Sequence, residues 1–142
     1  MIEVSKDIAE RQVKAALSGD WDALRELYAD DVHYSDPDGE VFGAEAAIAR
    51  LQAQEAPFPD ATADIKAIVG DESCAAVEWV FSARNTGALA MPDGTSLPAT
   101  DRSVTFAVMT LYEVRGGRIV SERNYWDNMS LYGQLGLLPV EA

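Results

Sequence analysis

The residues of this chain best suited to chemistry are carboxylates close to aromatic rings. Asp127 stands where an alternating segment, Ile119 to Tyr125, gives way to a helix-like stretch, Asn128 to Gln134. Strict alternation puts Ile119, Ser121, Arg123, Tyr125 and Asp127 on one face of a strand, and Val120, Glu122, Asn124 and Trp126 on the other. On that pattern Arg123, Tyr125 and Asp127 line one wall of a pocket. A carboxylate buried there beside rings would have its pKa raised toward neutrality and could move protons. The same position also suits an N-cap, because an aspartate preceding a helix accepts hydrogen bonds from its first free amides. The sequence leaves both roles open. Asp36 is a second candidate: it ends a strand on the face of Val32 and Tyr34, or it simply begins the Asp36-Pro37-Asp38-Gly39 turn. Tyr34, Trp79, Tyr112 and Trp126 are either core or a ligand platform.

Other chemistries find little support. His33 is the sole histidine, and no G-x-S-x-G elbow accompanies it, so hydrolysis by a triad is not expected. A glycine-rich phosphate cradle and paired Cys or His ligands for a transition metal are both missing, and no metal site is expected. Asp30, Asp31, Asp36 and Asp38 lack calcium-loop spacing and read as a solvated loop.

The chain of 142 residues, 48% hydrophobic, suits one globular domain. Its 24 acidic and 11 basic residues give a net charge of -13, which disfavours nucleic acid and anionic membrane surfaces as partners. With no apolar run of membrane length and a charged beginning, the expectation is a cytoplasmic protein without a leader. Cys74, the one cysteine, is expected to be a small buried hydrophobe.

The elements that must position these groups follow from periodicity. Helices are predicted from Ser5, as cap, to Ser18; from Asp20, as cap, through Tyr28; and from Ala44 to Glu55. Val32 to Ser35 forms a short strand. After Pro59 come strands Thr62 to Val69, Cys74 to Arg84 and Ser103 to Val114, then the final strand. Asn85 to Ala99 forms a loop or edge hairpin, and Arg115-Gly116-Gly117 a turn. Helices first and an antiparallel meander afterwards indicate an α+β domain with helices on one face of a curved sheet, its mouth a pocket.

The Asp36-Pro37-Asp38-Gly39 turn and the tail Asp127-x-x-x-Leu131-x-x-Gln134-Leu135-Gly136-Leu137-Leu138-Pro139, in this order of elements, resemble the SnoaL-like polyketide cyclases. That family lies within the superfamily typified by nuclear transport factor two and ketosteroid isomerase. The resemblance implies an α+β cone enclosing a deep apolar cavity, often a homodimer through the sheet, and acid/base work by Asp127 on a polyketide without metal or cofactor. Likeness to ketosteroid isomerase assigns Asp36 the role of base instead. Arg123, Tyr125, Asn85, Tyr34 and Trp79 are the expected substrate contacts. Two positions depart from the pattern: Asn85 replaces a common histidine, and Arg123 a common tryptophan. The oxyanion pair of ketosteroid isomerase is not reproduced, its places falling near Gln12 or Val13 and near Met109 or Thr110. Epoxide-opening relatives would pair Asp36 with Asp64. The function implied is a cofactor-independent cyclase or isomerase of a polyketide-like apolar molecule. The alternatives are a non-catalytic binding or dimerising module and a hydroxylase-type or epoxide-opening relative.

Overall fold

A computed structural model describes residues 4–91 and 93–138. Helix α1 (Val4–Ser18) carries Ile8, Ala9, Gln12, Val13 and Ala15 on its buried side. Gly19 ends it at positive φ, and Asp20 caps α2 (Trp21–Leu27) by accepting from the Ala23 amide at 3.1 Å. Strand β1 (Tyr28–Asp36) follows at once, turns through Pro37 and Asp38, and pairs with β2 (Gly39–Phe42). Helix α3 (Ala44–Glu55) then lies across β1 and buries Ala47 and Ile48.

The remaining chain builds most of the sheet: β3 (Thr62–Gly70), β4 (Cys74–Arg84), the small hairpin β5 (Leu89–Ala90) and β6 (Ser96–Leu97), β7 (Ser103–Arg115) and β8 (Arg118–Tyr125), then α4 (Asn128–Gln134). The sheet is six-stranded and open, in the order β2-β1-β8-β7-β4-β3. All pairs are antiparallel except β1 with β8. That parallel pair brings the N-terminal helices and the end of the chain onto one scaffold. The β7–β8 turn is a two-residue loop in which Gly116 (φ 60°) and Gly117 (φ 77°) both occupy the left-handed region, as a tight hairpin matched to sheet twist requires.

The sheet curves round the helices, and the main core fills the space between them. Leu24, Tyr28, Val32, Ile48, Val77, Tyr112 and Ile119 are all fully buried there. Each aliphatic side chain among them stabilises the fold by roughly 1.5–3 kcal/mol. A second cluster of Phe58, Leu89, Val104 and Leu135 joins the end of α4 and the small hairpin to the start of β7.

Three expectations are corrected. Ser5 lies inside α1, and its buried hydroxyl donates to the carbonyls of Asp71 and of Cys74 (3.1 Å), clasping the β3–β4 turn rather than capping a helix. Cys74 is exposed, because it opens β4 at that turn. Tyr28 leaves the second helix and starts β1, its backbone paired opposite Ile119. Pro139 of the tail lies outside the described residues. No helix among those described is long and apolar enough to cross a membrane.

Candidate functional site

A cavity of about 510 Å³ opens between α1, α3 and the inner face of the sheet. Its upper walls are aromatic. Phe81 and Phe106 stack at 4.9 Å, Phe58 meets Phe81 edge-on at 5.6 Å, and Trp126 follows Phe106 at 6.4 Å. Its floor is polar, with Glu122 beside Gln12, Tyr34 and Asn124.

Glu122 reaches the cavity because β8 breaks its alternation. Val114 pairs with Ile119 but Glu113 pairs with Ser121, so Val120 is an extra residue with no partner across the ladder. Such a bulge flips every later side chain to the opposite face. Ile119 faces the core, and beyond the bulge it is Glu122, Asn124 and Trp126 that face inward, opposite the inward Tyr112 and Thr110 of β7.

Two hydrogen-bonded arms converge on Glu122. On one side the Trp79 indole donates to Thr110 Oγ1 (3.1 Å), Thr110 donates to Asn124 Oδ1 (2.8 Å), and Asn124 Nδ2 donates to Glu122 Oε2 (2.9 Å). On the other, the Tyr112 hydroxyl donates to Gln12 Oε1, Gln12 Nε2 donates to the Tyr28 oxygen (3.1 Å), and Tyr28 donates to Glu122 Oε1 (2.7 Å). Every bond in both arms points its donor toward the carboxylate, which makes Glu122 the common acceptor. Burial raises its pKa, the Asn124 and Tyr28 bonds pull it back, and the nearby Asp36 charge raises it again, to about 7. Burial likewise pushes Tyr28, Tyr34 and Tyr112 well above the ordinary phenol range, so all three stay protonated donors.

This imbalance has a measurable consequence. The folded state holds the Glu122 proton up to about pH 7, whereas an unfolded chain releases it near the ordinary glutamate value. The native state therefore binds more protons between about pH 4.5 and 7, and stability falls as pH rises through that window. The loss is on the order of 3 kcal/mol, to be read from urea midpoints between pH 5 and pH 8, and it should vanish in Glu122→Gln.

Asp36 sits beside this floor with its side chain fully buried. It accepts from Arg50 Nη2 (2.7 Å) and Nε (3.2 Å), Gln54 Nε2 (2.7 Å), the Tyr34 hydroxyl (3.0 Å) and the Asp38 amide (2.8 Å). Five donors thus surround its two oxygens. The cavity touches its partners Arg50, Gln54 and Tyr34, while Asp36 itself stands behind them.

The other expected contacts divide. Tyr34 and Trp79 line the cavity. Tyr125 is 58% exposed, and Arg123 rests near Ser121 (3.4 Å) and Glu113 (3.6 Å), both on the outer face. Asp127 is exposed outside the cavity, accepting from the Met129 (2.9 Å) and Ser130 (3.2 Å) amides as the N-cap of α4. The expected pocket wall of Arg123, Tyr125 and Asp127 is thus corrected by the Val120 bulge. Asp127→Ala should lower stability by about 0.5–2 kcal/mol, a cap-sized loss visible in thermal unfolding. Asn85 is fully buried but does not line the cavity. It donates to Pro57 O (3.0 Å) and Gly87 O (2.9 Å) and accepts from the Thr100 amide (2.8 Å), pinning both ends of the segment that carries β5 and β6. Asp64 is exposed and pairs with Lys66 at 2.6 Å.

Glu122, Gln12 and Asn124 were absent from the sequence-based site. A glutamine in the apolar stripe of α1, four residues after Ile8, is the signal that was available. The bulge behind Glu122 left no comparable trace.

The family model for SnoaL-like polyketide cyclases matches residues 6–135. Among solved structures, a provisionally assigned SnoaL-like polyketide cyclase from Jannaschia sp. CCS1 is 17% identical, with 97% of this chain and 95% of that chain covered and a TM-score of 0.85. IdmH from Streptomyces antibioticus, provisionally assigned as a polyketide cyclase, is 28% identical over 93% of this chain and 98% of that chain, with a TM-score of 0.77. An LEH-like epoxide hydrolase from M. tuberculosis is 18% identical over 94% and 90%, with a TM-score of 0.72. No curated protein sequence matches significantly.

Proposed function

This chain belongs to the SnoaL-like polyketide cyclase family, and from that premise we propose that it is a cyclase or isomerase in which Glu122 is the acid/base group acting on an apolar, polyketide-like ketone. The observation that carries the reading is the placement of a fully buried carboxylate at the floor of an aromatic-walled cavity, with both oxygens held by aligned donors. A base with a pKa near the working pH combines a usable ionised fraction with adequate basicity. Each carboxylate oxygen has a further lone pair beyond the one engaged by Tyr28 or Asn124. Glu122 takes a proton from the carbon next to the substrate carbonyl, and the C–H electron pair becomes the enolate double bond. The enolate carbon then attacks a second carbonyl to close a ring, or is reprotonated elsewhere to isomerise, and Glu122 returns the proton. Asp127 and Asn85 have structural roles in this reading, and Asp36 sets the charge beside the base.

Exchange of the α-hydrogens of 2-tetralone in heavy water, followed by NMR, tests it directly. Wild-type protein should accelerate exchange, and Asp127→Asn should do so equally. Loss of exchange in Asp127→Asn with retention in Glu122→Gln would return the role to Asp127. A homodimer, if formed through the sheet, would use the outer face, where Met109 and Tyr125 lie opposite each other and exposed.

A further inference from the structure

We propose that Arg50 receives the substrate's carbonyl oxygen and stabilises the enolate that Glu122 creates, so that the cavity selects flat apolar ketones able to place an oxygen on this guanidinium. The inference rests on the acid/base reading of Glu122 and adds the electrophilic half of the site.

Arg50 is the one Lys, Arg or His among the described residues lining the cavity. It binds Asp36 side-on, through Nε and Nη2, which fixes the plane of the guanidinium. Arginine carries five N–H donors in a rigid fork. The side-on pair leaves its end-on edge, Nη1 and the second Nη2 hydrogen, without a protein partner among the described residues. Its side chain is 24% exposed, and Arg50 borders the cavity. Gln54, by contrast, already donates to both Tyr34 and Asp36, and the Trp126 indole to Asn128.

Position supports the pairing. Tyr34 on β1 is the register partner of Glu122 on β8, and Asp36 lies two residues farther along β1. Neighbouring strands lie about 4.8 Å apart and two residues span about 7 Å. Asp36 thus lies diagonally about 8 Å along the sheet from Glu122, and Arg50, bound to Asp36, lines the same cavity as the base. That arrangement suits a keto group with its α C–H on Glu122 and its oxygen on Arg50. When the C–H pair moves into the new double bond, the carbonyl π pair moves to oxygen, and the charge forms against the guanidinium. Asp36 neutralises the guanidinium in the resting site and holds its orientation, and fixed donors aimed at developing charge need no reorganisation. A free carboxylate ligand is disfavoured, because Asp38, Glu55 and Glu122 line the same cavity.

The test uses 4-nitrophenol, whose ionised form is a flat, delocalised oxyanion like an enolate and is read by its visible absorbance. Bound to wild-type protein, its ionisation constant should rise about tenfold or more over water, as expected for a strong local donor. The Arg50→Gln, Asp36→Asn double variant removes both charges together and should abolish that rise. Should it fail to fold, Arg50→Lys keeps a cation opposite Asp36 without a second planar edge and should lose most of it. Glu122→Gln should keep the rise while losing ketone exchange, which separates failure of this assignment from failure of the base. The proposal is overturned if wild-type protein binds no nitrophenol or binds it without enhanced ionisation, or if the enhancement survives in the folded Arg50 variants.

Discussion

Glu122→Gln is expected to lower α-proton exchange of a bound ketone by roughly 10²- to 10⁴-fold, the usual contribution of a positioned general base. The substitution preserves shape but not the pattern of donors. Tyr28 and Asn124 both donate to the carboxylate, whereas an amide offers one acceptor and one donor, so one of the two arms meets a like group. A buried donor left without its acceptor costs about 1–3 kcal/mol. At pH 8 that cost is offset by removal of a buried charge, so the unfolding midpoint should move little there and should fall mainly at pH 5. Activity and stability thus change in opposite directions with pH in the wild type. Exchange should rise through an inflection near pH 7 as Glu122 ionises, over the same range in which stability declines. A rate profile flat between pH 5 and pH 8, or a glutamine variant with wild-type exchange, would remove Glu122 from the chemistry.

The elements of the fold were largely legible in the sequence because each rests on local signals. Ala44 to Glu55 and Cys74 to Arg84 have the bounds expected from periodicity and turn residues, and Asp20 caps as its position predicts. The site was less legible because it depends on pairings distant in sequence. Alternation from Ile119 assigned Glu122 to the wrong face, and only the pairing of β8 with β7 reveals the extra residue at Val120. The parallel contact of β1 with β8, which sets Tyr34 beside Glu122, joins segments nearly ninety residues apart and has no local signature. Asp127 shows the converse: its capping role is wholly local and could be read from the helix that follows. Asp36 lay between these cases, since its strand-end position was readable but the partners supplied by α3, Arg50 and Gln54, were not.

Those partners make Asp36→Ala the substitution with the largest expected effect on stability. Removing the carboxylate deprives Arg50 of its counter-ion and leaves Tyr34 and Gln54 with donors aimed at empty space. Breaking a buried, hydrogen-bonded ion pair from one side destabilises by about 3–5 kcal/mol. Because the Arg50 side chain remains 24% exposed, water relieves part of that penalty, and the lower end, about 3 kcal/mol, is expected. For a chain of this size such a loss lowers the melting temperature by roughly 10 °C. The same variant changes the neighbouring base. Asp36 raises the Glu122 pKa through its charge, so its removal, together with an unneutralised guanidinium, favours ionised Glu122. The inflection in ketone exchange should therefore move below pH 7 in whatever fraction remains folded. Arg50→Gln leaves the Asp36 anion unneutralised and should move that inflection upward instead. Shifts of opposite sign would tie both residues electrostatically to Glu122, whereas an unchanged inflection in both variants, despite lowered stability, would confine the pair to holding α3 against β1.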